Sequence, residues 1–344
     1  MPRPMNHQIL LRRYPVGPPT EPDFELVERE VPPPGEGQVV CRTVYLSLDP
    51  YMRGRMRPGP SYAATAELGE PMVGGTVSQV VESRYPGLAP GDVVLGHAGW
   101  QEFDVSDGSR LEKLDPTAFP ISYALGVLGM PGMTAYFALL DVGRPKAGET
   151  VVVSAASGAV GSVACQIAKI KGCRVVGIAG SAEKCRHVVE ELGADACLNH
   201  RADDLRSELG RACPAGIDVY FDNVDGPVLD TILDHLNLHA RIPLVGLISQ
   251  YNAEVLPPGP NLSRLLTKRS LIQGFLVGDY AGRRGEFLSE VGAWVRDGKV
   301  KYREDVVEGL ENAPRAFIGL LEGRNFGKLL VRVSGGAADG RALG

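Results

Sequence analysis

The stretch Val151-Val-Val-Ser-Ala-Ala-Ser-Gly-Ala-Val-Gly-Ser162 decides the fold. Three β-branched residues, too few for a helix, run into small residues that permit a sharp turn. A helical period follows, because Val160, Val163, Ala164, Ile167 and Ala168 recur at i, i+3, i+4, i+7 and i+8 as one apolar stripe. Gly172 stops it behind Lys169 and Lys171, whose charges suit the negative end of the helix dipole. The spacing predicts strand, turn and helix. Within the turn, Ala156, Gly158 and Gly161 occupy the three glycine positions of the dinucleotide fingerprint, with alanine in the first. Gly158 would let the backbone approach a pyrophosphate, Gly161 would let the helix pack on its strand, and N–H groups at the helix start would face the phosphate charge. An ordinary strand-to-helix turn gives the same six residues, so the surrounding chain must decide.

Downstream, apolar strand candidates recur at 174–178, 196–199, 218–221, 241–247 and 270–277. Helical stripes separate most of them, one carrying Val228, Leu229, Ile232, Leu233 and Leu236, another Phe287, Leu288, Val291, Trp294 and Val295. Upstream, Gly129-Met-Pro-Gly-Met-Thr-Ala-Tyr136 opens a helix that ends near Gly143. Six strands with crossovers predict an α/β domain, a doubly wound parallel sheet over 126–299. Residues 1–125 differ: Gln38-Val-Val-Cys-Arg-Thr-Val44 and Gly75-Thr-Val-Ser-Gln-Val-Val81 lean to strand, and Pro/Gly turns separate them, which predicts a mainly β, barrel-like domain. Tyr45-Leu-Ser-Leu-Asp-Pro-Tyr-Met-Arg-Gly-Arg-Met56 reads as a loop facing a cleft. Residues 306–321 read as helix, and Asn325-Phe-Gly-Lys-Leu-Leu-Val-Arg-Val333 as a closing strand returned to the first domain, which then spans 1–125 and 300–344. The Gly/Ala-rich tail from Ser334 is expected to fray.

With 344 residues, two cores are expected. A net charge of −5 with no basic stripe argues against nucleic acid as a partner. The N-terminal Met-Pro-Arg-Pro-Met-Asn-His7 has no apolar signal core, and no apolar run approaches the ~20 residues of a membrane span, so a cytoplasmic protein without a membrane partner is expected. Cys41, Cys165, Cys173, Cys185, Cys197 and Cys213 show neither a CxxC pair nor a spacing suited to zinc, and read as free thiols.

The second strand ends Val176-Gly-Ile-Ala-Gly-Ser181, without the acid that would accept a bond from an NAD ribose hydroxyl. At Gly180 and Ser181 the chain can instead admit a 2′-phosphate, with Ser181 also capping the next helix and Lys184 supplying charge one turn on. NADPH is therefore the expected cofactor. His200 and Arg201, just beyond the third strand, are candidates for the same pocket.

The segment 45–56, Met72-Val-Gly-Gly-Thr-Val77, Gly129-Met-Pro-Gly-Met-Thr-Ala-Tyr-Phe137, Phe221-Asp-Asn-Val224, Gly246-Leu-Ile-Ser-Gln-Tyr-Asn252 and Asn325-Phe-Gly-Lys328 resemble the zinc-independent medium-chain reductases. The branch they resemble holds prostaglandin reductases, plant alkenal double-bond reductases and bacterial curcumin reductases. That resemblance implies a GroES-like catalytic domain, a Rossmann domain, and a cleft between them where NADPH reduces the carbon-carbon double bond of an enone or enal. It also implies that Ala159, Val160, Gly161 and Ser162 hold the pyrophosphate and Lys184 the 2′-phosphate. Asn223, the run 245–251 with Val245, Gly246, Ser249 and Tyr251, Phe275, Leu276, Val277 and Asn325 would line the adenosine and nicotinamide halves. His200 stands where relatives often carry tyrosine. Read singly, Asn223 is a turn residue and Phe275 to Val277 strand core, and only their joint occurrence favours function.

Zinc alcohol dehydrogenases carry a Gly-His-Glu segment where this chain has Gly74-Gly75-Thr76, so no metal site is expected. Hydrogen bonds must then stabilise the enolate oxygen, with Tyr251 the first candidate donor. Tyr51 and Tyr62 are candidates for positioning an extended enone by stacking and hydrogen bonding. Quinone reduction and a non-catalytic NADPH-binding role remain the alternatives. A homodimer is expected through the apolar run 270–277, which would otherwise be an exposed edge strand.

Overall fold

Val151, Val152 and Val153 are wholly buried, the environment in which consecutive β-branched residues favour a parallel sheet covered on both faces. In the computed structural model, which describes residues 3–201 and 204–334, they belong to the strand Thr150–Val153 (β1). Five strands follow: Arg174–Ala179 (β2), Ala196–Asn199 (β3), Ile217–Phe221 (β4), Leu236–Leu244 (β5) and Leu271–Gly274 (β6). They lie in the order β3-β2-β1-β4-β5-β6, and all five pairings are parallel. This is the doubly wound Rossmann order, whose winding reverses between β1 and β4, where ligands bind at the carboxyl ends of the strands.

Helix Gly161–Ile170 (α1) links β1 to β2, and Ala182–Glu190 (α2) links β2 to β3. Four of the five residues of the stripe expected on α1 are core, with Val163, Ala164, Ile167 and Ala168 fully buried, while Val160 stands at the N-cap and is partly exposed. The sheet belongs to a unit of Gly126–Arg303 and Phe326–Lys328.

The second unit comprises Met1–Leu125, Glu304–Asn325 and Leu329–Gly344. Its long strand Gln38–Ser47 pairs antiparallel with Thr76–Ser83, Phe103–Asp107 and Lys328–Arg332 within a seven-stranded sheet. Trp100, fully buried, stacks on Phe24 with ring centres 5.3 Å apart and meets Phe317 edge-on at 5.7 Å. This is the GroES-like, mainly β unit.

Several boundaries differ from the sequence reading. Leu236 is the first residue of β5, not the end of a helix, which stops at Leu233. Strand β6 ends at Gly274, and Val277 opens a 3-10 turn. The run 306–321 is three elements, because Glu304–Glu308 is a strand, Gly309 breaks the chain at φ 85°, Leu310–Asn312 is a 3-10 turn and the α-helix begins only at Ala313. Paired Val306 and Val307 fit a strand better than a helix. Tyr45, Leu46 and Ser47 continue their strand, and Met52–Arg55 forms one helical turn of the expected loop. The tail beyond Ser334 lies outside the described residues. Among the described residues no helix is long and apolar enough to cross a membrane.

Candidate cofactor and active site

The turn after β1 is built on backbone approach. A Cβ at Gly161 would stand 2.3 Å from the Ala155 carbonyl oxygen, and one at Gly158 would stand 3.1 Å from it. Ala155 itself is a non-glycine residue at φ 48°, a conformation held here by the surrounding backbone. The Ala156 N–H donates to the Ile178 carbonyl at 3.0 Å and the Gly158 N–H to that of Ala155 at 2.9 Å. Gly158, Ala159 and Val160 stay partly exposed ahead of α1, and Ser162 is buried in its first turn. A partly open backbone at a helix N-terminus fits a phosphate.

At the end of β2, the Ser181 hydroxyl accepts the Lys184 N–H at 3.2 Å and so caps α2. A Cβ on Gly180 would lie 3.4 Å from both His200 Nε2 and Arg201 Nε. The structure thus brings Gly180, His200 and Arg201 together beside the capped turn that carries Lys184. Burial, then the Arg201 charge, hold the His200 imidazole below its usual pKa.

Beyond β4, Asn223 donates its side-chain N–H to the Ser154 carbonyl at 2.7 Å, while its backbone N–H meets the Ser154 hydroxyl at 2.9 Å. Both bonds tie Asn223 to the residue after β1, while the turn N–H groups of Val224 and Asp225 are accepted by Asp222 and not by Asn223. Val245 and Gly246 donate their N–H groups to the Asp222 carbonyl at 2.8 and 3.2 Å, and Ser249 donates to that of Val224 at 3.2 Å. The half-buried Tyr251 hydroxyl accepts the Leu247 N–H at 3.4 Å, which leaves its own hydrogen to donate. Burial pushes the Tyr251 phenol above its usual pKa, so it stays protonated. Asp222, fully buried beneath this loop, is a residue the sequence reading did not single out, although it stands inside the quoted Phe221-Asp-Asn-Val224.

Phe275 is buried and stacks on Tyr280 at 5.0 Å, Leu276 is exposed, and Val277 starts the next turn. In the GroES-like unit, Tyr51 is half-buried, its phenol raised by burial and then by the Asp49 carboxylate, whereas Tyr62 is 65% exposed. Asn325 ends a segment of that unit. Among the described residues, no three His, Cys, Asp or Glu side chains are grouped to hold a metal ion.

A Rossmann sheet with a glycine turn at its switch point, in one chain with a GroES-like unit, defines a nucleotide-dependent oxidoreductase. Comparison with known proteins narrows that class. Residues 7–114 match the family described as N-terminal domain of oxidoreductase, and 159–293 match that described as zinc-binding dehydrogenase. NADPH-dependent curcumin reductase of Escherichia coli (strain K12) is 55% identical over 96% of this chain and 97% of its own length. The NADP(+)-dependent 2-alkenal reductase of Nicotiana tabacum is 45% identical over 96% and 98%. The crystal structure of CurA from Vibrio vulnificus in complex with NADPH superposes with a TM-score of 0.91 at 51% identity, covering 96% of this chain and all of that one. The chain belongs to the medium-chain dehydrogenases/reductases, in the branch of the curcumin, alkenal and prostaglandin reductases.

Proposed function

We propose that this protein is an NADPH-dependent reductase of the carbon-carbon double bond of α,β-unsaturated ketones and aldehydes, working without a metal. The observation that carries this reading is Tyr251, a protonated hydroxyl on a loop hydrogen-bonded to the end of β4, beside the strand that leads into the glycine turn. The curcumin and 2-alkenal reductases named above support it.

Ala159, Val160, Gly161 and Ser162 receive the pyrophosphate, and Ser181 and Lys184, with His200 and Arg201, the 2′-phosphate. Asn223, the loop with Val245, Gly246, Ser249 and Tyr251, Phe275, Leu276, Val277 and Asn325 line the remaining halves. Bound there, NADPH supplies a hydride to the substrate β-carbon. The Tyr251 O–H donates to the carbonyl oxygen as negative charge collects on it, and this donor acts where bulk water is thinned by burial. Tyr51 and Tyr62 position the enone by stacking and hydrogen bonding. Solvent or a tyrosine returns a proton to the α-carbon.

NADPH oxidation followed with an enone, an enal and a quinone tests the reading. Turnover of enone and enal is expected. Turnover of the quinone alone would make it a quinone reductase, and binding without turnover a nucleotide-binding protein.

The assembly we infer is a homodimer joined along β6, an edge strand of the sheet. Leu271 in β6 and Leu276, two residues beyond its end, are 38% and 43% exposed, an apolar edge that a partner would cover. The free cysteines fit a reducing compartment such as the cytoplasm.

A further inference from the structure

We propose that Asp222 is a positioning residue that fixes the Tyr251-bearing side of the cofactor site. This rests on the reading above that NADPH binds at the carboxyl ends of the strands. Asp222 is fully buried, and its Oδ1 accepts from the Tyr220 hydroxyl at 2.9 Å, the Val224 N–H at 2.9 Å, the Asp225 N–H at 2.9 Å and the Ser154 hydroxyl at 3.3 Å. Its main-chain carbonyl accepts the N–H groups of Val245 and Gly246. One residue thereby joins the ends of β1, β4 and β5.

The turn it shapes is an unusual one. Asp225 is a non-glycine residue at φ 66°, and its N–H is one of the donors that the carboxyl gathers, so the side chain holds backbone in a region it would otherwise leave. That turn presents the Asn223 and Val224 carbonyls to the N–H groups of Ile248 at 3.5 Å and Ser249 at 3.2 Å. The segment carrying Tyr251 hangs on those bonds. Asn223, in turn, is held by Ser154, whose hydroxyl also reaches Asp222. The carboxyl's other oxygen, Oδ2, is buried without a hydrogen-bond partner. Stability alone does not select this arrangement, since burying a half-satisfied carboxyl is unfavourable and an asparagine carbonyl could accept the same two backbone donors. A placement role does account for it: Oδ1 is one acceptor on which the two turn N–H groups and the Tyr220 and Ser154 hydroxyls converge, tying the turn to the ends of β1 and β4.

The experiment uses Asp222→Ala, Asp222→Asn and Ser154→Ala in the full chain, each checked for native circular dichroism. Three quantities are measured: NADPH affinity by calorimetry, affinity for adenosine 2′,5′-bisphosphate, and the single-turnover rate of hydride transfer to an enone. The bisphosphate lacks the nicotinamide half that Tyr251 faces and reads the adenosine end, with the glycine turn, Ser181 and Lys184. Asp222→Ala should weaken NADPH at least tenfold and slow hydride transfer at least tenfold, with bisphosphate affinity within twofold of wild type. Asp222→Asn, which keeps the carbonyl acceptor, should recover most of the loss. If Asp222→Ala does not fold, Ser154→Ala must show the same split at about threefold. Folded variants with NADPH affinity and rate within twofold of wild type overturn the proposal, as does equal loss for both ligands. Wild-type protein that binds neither ligand would instead overturn the cofactor reading beneath it.

Discussion

At Gly161 a single methyl group decides the site. A side chain there meets backbone, the Ala155 carbonyl at 2.3 Å, which cannot rotate away. Gly161→Ala should destabilise the fold by about 1–3 kcal/mol, the usual range for overpacking, and weaken NADPH more than tenfold; melting temperature and calorimetry read both, and a variant unchanged in both contradicts the cradle. Lys184→Ala should weaken NADPH by roughly 1–3 kcal/mol, one charge-assisted contact, and hardly change NADH. Equal loss for both cofactors would remove Lys184 from the 2′-phosphate. Tyr251→Phe should lower kcat by about ten- to a thousandfold, the range of one oxyanion donor, with little change in NADPH affinity. Full single-turnover activity in that variant would exclude it as the donor. Residues whose role depends on near neighbours in the chain, such as Gly161 and the Ser181 cap, were legible in the sequence. Asp222 was not, because a strand-end acid reads as a turn residue until the ends of three strands distant in sequence meet around it.

Between elements, periodicity foretold the six parallel strands and the crossover helices, because strands buried on both faces and amphipathic helices leave different spacings. Boundaries were harder. Leu236 continues a helical stripe by spacing yet starts β5, and the run 306–321 conceals a strand ahead of Gly309, since neither burial nor pairing partner is written locally. The element with the clearest consequence is β6. Leu271→Asp combined with Leu276→Asp should turn a dimer into a monomer while leaving the fold intact, as read by light scattering at micromolar concentration. Wild-type protein that is already monomeric there would contradict the edge-strand dimer.

Across the whole molecule, the GroES-like unit is assembled from chain that precedes and follows the Rossmann unit in sequence. What the sequence did carry was a set of short motifs in order, whose combination pointed to double-bond reduction where each motif alone pointed only to a turn, a cap or a core. In the proposed chemistry hydride reaches the β-carbon of a conjugated carbonyl while Tyr251 steadies the oxygen. The most direct measurement is the position of deuterium in the product after reduction of an enone with NADPH deuterated at nicotinamide carbon 4. The label should lie on the β-carbon of a saturated ketone; label on the carbonyl carbon, in an allylic alcohol, would contradict the account.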